Sequence, residues 1–323
     1  MRYVELGEIR TSALGFGCGG VMGRVGRGDS LRAMAAAWEG GVRLFDTARS
    51  YGYGEAEGVL GEFLAGRRDE ATVVTKFGIL PSKPAVWKRL AKPVVRAGLQ
   101  LLPSARGMVR RQIAGEMSAG HFDVATLRGS LEKSLRELRT EYVDVLLMHE
   151  APSSVMGQED LLAELAKVVS EGKARRFGVS SSTLIVHQIR SQNSPELTAF
   201  QFPANFYNRG FSPARRLGDT GTFFMGNHPF GGLQRSEKAR AAITEMAKDG
   251  RVKATLREKL SGDSKERLAE VVFGEIFGPL KIDAVVPSML HLDNLRANLA
   301  AMHGSGFSAV ELKAVRKRVI APD

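Results

Sequence analysis

Four side chains capable of acid–base chemistry fall at equivalent places in successive stretches of the chain. Asp46 lies near the end of the apolar run VRLFDTA (42–48), and Tyr51 follows it five residues later. Lys76 lies at the end of ATVVTKF (71–77), and His149 ends VDVLLMH (143–149). A carboxylate, a phenol, an ammonium and an imidazole are the groups from which proton-transfer sites are built. Each alone has an ordinary explanation: the lysine as a solvated strand end, the histidine as a satisfied core residue. All four at strand C-terminal ends point instead to one site.

Other chemistries lack their residues. No HExxH and no cysteine pair offers zinc-ligand spacing, so no metal is expected. There is no G-x-x-x-x-G-K-[ST] phosphate loop, and GVSSS (178–182) lacks the closing glycine of a nucleophile elbow. GFGCGG matches G-x-G-x-x-G at Gly15, Gly17 and Gly20, but a dinucleotide fold needs a helix to open at the third glycine. Here the helix is expected only from Asp29–Ser30. The segment, with Gly19 and Gly20, reads as a loop over a cavity mouth where small residues let a ligand approach the backbone.

The elements that must position these groups alternate. Eight short β-forming runs are expected at 12–17, 42–48, 71–77, 143–149, 174–180, 197–203, 222–227 and 283–288, with amphipathic segments between them. Leu127, Leu131, Leu135 and Leu138 repeat at helical spacing behind Asp123, placed as an N-cap. Further helices are expected at 160–171, ended by Gly172, at 264–277 and at 291–302. Eight strands with intervening helices predict an α/β fold, a (β/α)8 barrel, with VELGEIRTS as a hairpin capping its bottom. The whole chain, 1–323, reads as one such domain. Connections from about 78 to 122 and from about 228 to 262, after the third and seventh strands, read as substrate and cofactor lids.

Composition sets the class. Over 323 residues, 43% hydrophobic and 25% charged content is that of a globular protein. No apolar stretch is long enough to span a bilayer, MRYVELGEIR has no signal-peptide core, and the single cysteine, Cys18, suits a reducing compartment. The expectation is a cytoplasmic protein with no membrane partner. Lys and Arg outnumber Asp and Glu by 46 to 35, for a net charge of +11. Residues 79–115 carry eight basic side chains and no acidic one. That segment has one aromatic, Trp87, and no interleaved stacking residues, so nucleic acid is not expected as a partner.

The sequence resembles the aldo-keto reductase family. FDTARSYGYGEAEGVLGEFL is similar to that family's signature around its aspartate and tyrosine, TKFG to its lysine strand and YVDVLLMHEAP to its histidine strand. The similarity continues in order through EGKARRFGVSSS, FQFPANFYN, NHPFGG and VVPSMLHLDNLRANL. The resemblance implies a barrel enzyme that transfers hydride between a nicotinamide and a carbonyl or alcohol, with an aldehyde, ketone or sugar-like substrate. It implies Tyr51 as general acid, Lys76 as the ammonium that stabilises the phenolate, Asp46 as the group holding Lys76, and His149 as the group orienting the carbonyl oxygen. It also implies that Gly19, Gly20 and Asp46 border the cofactor. Ser180, Ser181 and Gln201 would bind the carboxamide, Asn227 would face the nicotinamide, and Pro229 and Phe230 would border the pyrophosphate. Ser288, Met289, His291, Asn294 and Asn298 would grip the adenosine phosphate.

NADP(H) is expected ahead of NAD(H). Ser288 and Asn294 are neutral where NADP-preferring members commonly carry Lys or Arg, so the margin is expected below about 2–3 kcal/mol. Ser181 stands where the family usually has Asn, and Asn227 is no aromatic. The alternative reading is a cofactor-binding regulatory module on the same barrel, resembling the potassium-channel β subunits. Substrate identity and oligomeric state are not legible in the sequence.

Overall fold

Runs dominated by Val, Leu and Phe with few charges suit strands covered on both faces, as parallel sheets are. The computed structural model describes residues 1–81, 118–192, 196–208, 221–304 and 306–321. An antiparallel hairpin, β1 (Tyr3–Leu6) and β2 (Ile9–Ser12), comes first. Each of the eight expected runs then holds a strand: β3 (Gly15–Gly17), β4 (Leu44–Asp46), β5 (Thr72–Phe77), β8 (Val143–His149), β9 (Ala174–Ser180), β10 (Ala199–Pro203), β11 (Phe223–Asn227) and β12 (Ala284–Val286). They pair in parallel in the order β3-β4-β5-β8-β9-β10-β11-β12.

A parallel bridge between Leu14 and Val285 brings the last strand back to the first. The backbone N–H of Val285 donates to Ala13 O at 2.8 Å, and that of Gly17 donates to Pro287 O at 3.0 Å. Glycine is required at this seam: a Cβ on Gly17 would lie 2.9 Å from the Pro287 carbonyl oxygen. The result is the (β/α)8 barrel.

Inside it, Leu44, Val74, Val145, Leu147, Ala199, Phe223, Met225, Ala284 and Val286 form one apolar cluster, which Leu6 and Ile9 of the hairpin join at the end where the strands begin. The outer faces of the strands pack on helices. Helix Val124–Leu138 buries Leu127, Leu131 and Leu138, and the Asp123 side chain caps it by accepting from Thr126 N at 2.8 Å. Helix Glu159–Ser170 buries Leu161, Leu165 and Val168 and stops ahead of Gly172, whose φ of 72° no β-branched residue would adopt readily. Helices Ser264–Phe277 and Leu292–Ala301 take the last two expected places.

Of the two long connections, the second differs from expectation in what it contains. After β5, a short ladder of β6 (Ile79–Leu80) with β7 (Ser118–Ala119) forms a stem. Nearly all of the basic run at 79–115 lies outside the described residues, and so does the lid expected there. After β11 the connection is long but is not an open lid. It holds helices Leu233–Lys248 and Ala254–Leu260. Ala239, Ile243 and Met246 form a stripe on the first of these, and with Leu256 and Leu260 they are buried in the shell core. An apolar stripe of that spacing is stable only when packed against other apolar surface, here the neighbouring helices of the shell. Among the described residues no helix is long and apolar enough to cross a membrane.

Candidate active site

Side chains alternate along a strand, so residues two apart share a face. Asp46 follows Leu44, Lys76 follows Val74, His149 follows Leu147, Gln201 follows Ala199 and Asn227 follows Met225, each one step beyond a member of the interior cluster. The barrel interior therefore carries an apolar cluster toward its hairpin end and a polar last layer where the strands end.

Lys76 is the centre of that layer. It is 1% exposed, and its Nζ donates to Asp46 Oδ1 at 2.6 Å, to Thr47 O at 2.9 Å and to Tyr51 Oη at 3.4 Å. An ammonium has three donors and no acceptor, so all three are used and Tyr51 Oη is the acceptor of its bond. The phenol's own proton is left free for another acceptor. Asp46 Oδ1 also accepts from Gln201 Nε2 at 2.8 Å, and Ser180 Oγ donates to Gln201 Oε1 at 2.8 Å. The His149 ring stands edge-on to Tyr51, with centroids 5.8 Å apart and planes at 83°. The chain from Ser180 through Gln201, Asp46 and Lys76 to Tyr51 crosses the whole mouth.

The electrostatics follow from burial and this pairing. Burial alone would lower the Lys76 ammonium, but Asp46 and Tyr51, through charge and hydrogen bonds, outweigh it and hold it above its ordinary value. Burial raises the Tyr51 phenol, and Asp46 adds to this, while Lys76 pulls it down without reversing the rise. The lowering expected from Lys76 is present, then, but burial exceeds it, and the phenol stays protonated at neutral pH. Burial first, and Lys76 second, push His149 down to about 3, so its imidazole is neutral. Its Nδ1 has no partner among the described residues. Glu150, next in the chain with φ of 55°, is raised by burial and drawn back by Lys76.

The other predicted positions divide. Gly19 lies against Tyr51, since a Cβ there would be 3.8 Å from the ring, and Gly20 packs under Leu290. Asn227 Nδ2 is 3.5 Å from Gln201 Oε1, and its Oδ1 has no partner among the described residues. Ser181 Oγ donates to Ala151 O at 2.9 Å, away from Gln201. Pro229 is buried, and the Phe230 ring lies 6.0 Å from that of Phe273 in the outer shell. Ser288 and His291 are exposed, Asn294 is half-buried and Met289 is fully buried. Asn298 is 2% exposed, with its Nδ2 unpartnered among the described residues. No side-chain hydrogen bond among the described residues joins 288–298 to the Lys76 cluster.

Three residues behind the site were not singled out in the sequence: Arg49, Glu57 and Thr75. The signal was a charge on a buried helix face. Glu57 lies among Ala56, Val59, Leu60 and Phe63, all buried on helix Ala56–Phe63.

A model of the aldo/keto reductase family matches residues 13–234, which takes in Asp46, Lys76 and His149 on their strands and Tyr51 in the loop after β4. The chain belongs to the aldo/keto reductase family. A methylglyoxal reductase of Escherichia coli is 29% identical over 155 residues, covering 48% of this chain and 40% of that protein. The chain spans about half the length of the curated relatives it matches. Among solved structures, an aldo-keto reductase from Bacillus halodurans in its holo form superposes with a TM-score of 0.66 at 19% identity, covering 98% of this chain and 96% of that one. One from Klebsiella pneumoniae, in complex with NADP and acetate, gives 0.63 at 20% identity, covering 97% and 93%. At these identities the likeness is one of fold. The family match ends before residues 288–298, the segment expected to meet the adenosine phosphate.

Proposed function

We propose that this chain is a nicotinamide-dependent oxidoreductase that reduces the carbonyl of a small aldehyde, ketone or sugar-like molecule, with Tyr51 as general acid. The observation that carries the reading is the contact at Lys76 Nζ, which leaves Tyr51 Oη charge-assisted from behind with its own proton undirected. Membership of the aldo/keto reductase family and the likeness to a methylglyoxal reductase support the substrate class.

Polar groups of the site fit a nicotinamide. Asn227 Oδ1 and His149 Nδ1 are buried without partners among the described residues, and Ser180 and Gln201 stand beside them. Ser180, Ser181, Gln201 and Asn227 would hold the ring end, and Asn298 with its neighbours the adenosine end. When bound, the cofactor supplies the hydride. NADP(H) is favoured over NAD(H) by a small margin, because Ser288 and Asn294 are neutral and Arg296 lies 3.5 Å from Asp293, both exposed.

The chain's own part is proton supply and charge stabilisation. As negative charge builds on the carbonyl oxygen, Tyr51 gives it the phenol proton. The phenolate left behind faces the Lys76 ammonium, which Asp46 and the Thr47 carbonyl hold in place. Neutral His149 donates an N–H to the same oxygen, fixing its direction before charge develops. We place the protein in the cytoplasm on the strength of its single buried cysteine, and read the chain as one barrel domain from its eight-stranded sheet.

Tyr51→Phe tests the reading. It keeps the ring and removes the transferable proton, so turnover falls about 10²–10⁴-fold. The dissociation constant of the reduced cofactor, followed by fluorescence titration, stays within about twofold. Retained turnover removes Tyr51 from the mechanism.

A further inference from the structure

The outer face of β5 carries a second buried polar cluster, one side chain away from the first. Lys76 points into the barrel, so Thr75 points out toward helix Ala56–Phe63. Thr75 is fully buried, and its Oγ1 donates to Glu57 Oε1 at 2.6 Å. The other carboxylate oxygen of Glu57 takes the guanidinium of Arg49. Glu57 is 1% and Arg49 3% exposed.

Arg49 lies two residues before Tyr51, in the loop that leaves β4 at Asp46. That loop meets β5 at Thr47, where Lys76 Nζ donates to the carbonyl oxygen at 2.9 Å, and at three further points. Thr47 N donates to Val74 O at 2.8 Å, Arg49 N to Lys76 O at 3.4 Å, and the Arg49 side chain reaches Thr75 through Glu57. The backbone bond at Lys76 is long, so the side-chain link is the firmer attachment near Tyr51. Beyond it the chain turns through Gly52, Tyr53 and Gly54 at φ of 59°, 62° and 85°, a path that does not fix Tyr51 by itself.

A buried ion pair is weak evidence for stability, because its desolvation cost rivals its attraction. What this pair does hold is a distance. The Tyr51 Oη to Lys76 Nζ contact is 3.4 Å, at the far end of the hydrogen-bond range, and a further half-ångström would break it. We infer that Arg49, Glu57 and Thr75 are positioning residues: they clamp the Tyr51 loop to the outer face of β5 and so set the distance between the proton donor and its ammonium on the inner face. The inference rests on Tyr51 being the proton donor. A simple brace for helix Ala56–Phe63 would use the same contacts but would not act through Tyr51.

The test uses the whole protein with carbonyl reduction as the readout. Arg49→Met combined with Glu57→Met removes both charges of the pair, so the net buried charge is unchanged. Thr75→Val removes one hydroxyl and keeps the shape of the strand. Both are expected to lower kcat about ten- to hundredfold, since misplacement by about 1 Å has effects of that size. KM and the cofactor dissociation constant stay within about twofold. In the Tyr51→Phe background Thr75→Val has no further effect on the residual rate, because the group it positions is gone. If folded Thr75→Val keeps its kcat, or loses the same factor with and without Tyr51, the network is a brace and the inference is wrong. Should the paired methionine variant not fold, Thr75→Val alone decides. If Tyr51→Phe itself keeps turnover, the assignment of Tyr51 falls, and the positioning role falls with it.

Discussion

The two ends of the barrel interior are built from the same strands and obey opposite rules. At the hairpin end Leu44, Val145, Phe223 and Ala284 pack with Leu6 and Ile9 in a cluster held by apolar contact alone. At the other end Asp46, Lys76 and Gln201 are as deeply buried, yet each is present only because the next supplies its partner. One residue pair along a strand separates the two regimes: Leu44 from Asp46, Val74 from Lys76. The apolar end tolerates losses one at a time, while the polar end transmits a loss to every member of its chain of hydrogen bonds.

Lys76→Met breaks the contrast most severely. It leaves the Asp46 carboxylate buried with only Gln201 as a side-chain partner, and removing one partner of a buried pair costs about 3–5 kcal/mol. Turnover falls with it, by at least about 10²-fold, because Tyr51 then faces no cation. Urea unfolding and carbonyl reduction on one sample report both. A variant as stable as the parent would mean that Asp46 finds another counter-charge.

Leu44→Ala, two residues earlier on the Asp46 strand, separates stability from chemistry. A cavity in the closed apolar layer costs about 2–5 kcal/mol. Turnover per folded molecule, measured well below the melting temperature, stays within about twofold. A large loss of turnover would show that the two layers are coupled.

The most gradual effect is set by pH. His149 is pushed down to about 3 in the folded chain, while a free imidazole titrates near 6.5. Between those values the unfolded chain binds a proton that the folded one refuses. This contribution is complete above about pH 6.5 and is lost as pH falls toward 3, by up to about 1.4 kcal/mol per pH unit. His149→Gln lacks it, so denaturant midpoints of the parent fall more steeply than those of the variant between pH 6.5 and 4. Parallel slopes would mean that the imidazole is solvated and charged in the fold.

How much of this was legible depended on whether a local pattern existed. The eight strands were, because each is a short apolar run bounded by turn residues, and so was the Asp123 cap, which precedes a clean leucine repeat. Asp46, Lys76 and His149 share the last interior layer because alternation is a local rule. The helix Leu233–Lys248 was missed because LQRSEKARAAITEMAK is mostly charged or small, and only Ala239, Ile243 and Met246 mark its buried face. Of the Arg49–Glu57–Thr75 cluster only Glu57 left a local trace, as a charge on an apolar helix face. The cluster's members come from a loop, a helix and a strand, and their partnership exists only where these meet in space. Burial of the Tyr51 phenol, which overrides the pull of Lys76, is likewise a property of the assembled mouth.

The seam between Leu14 and Val285 also sets an order of events. These partners are some 270 positions apart, among the most distant pairings the chain makes, and contacts of that separation form slowly. During synthesis the strands from β3 to β11 emerge first, as an open sheet with an unpaired edge at each side. Only when Ala284–Val286 leaves the ribosome can both edges be covered at once. On one side, Gly15–Gly17 of β3 thus waits through the synthesis of every intervening strand for its partner.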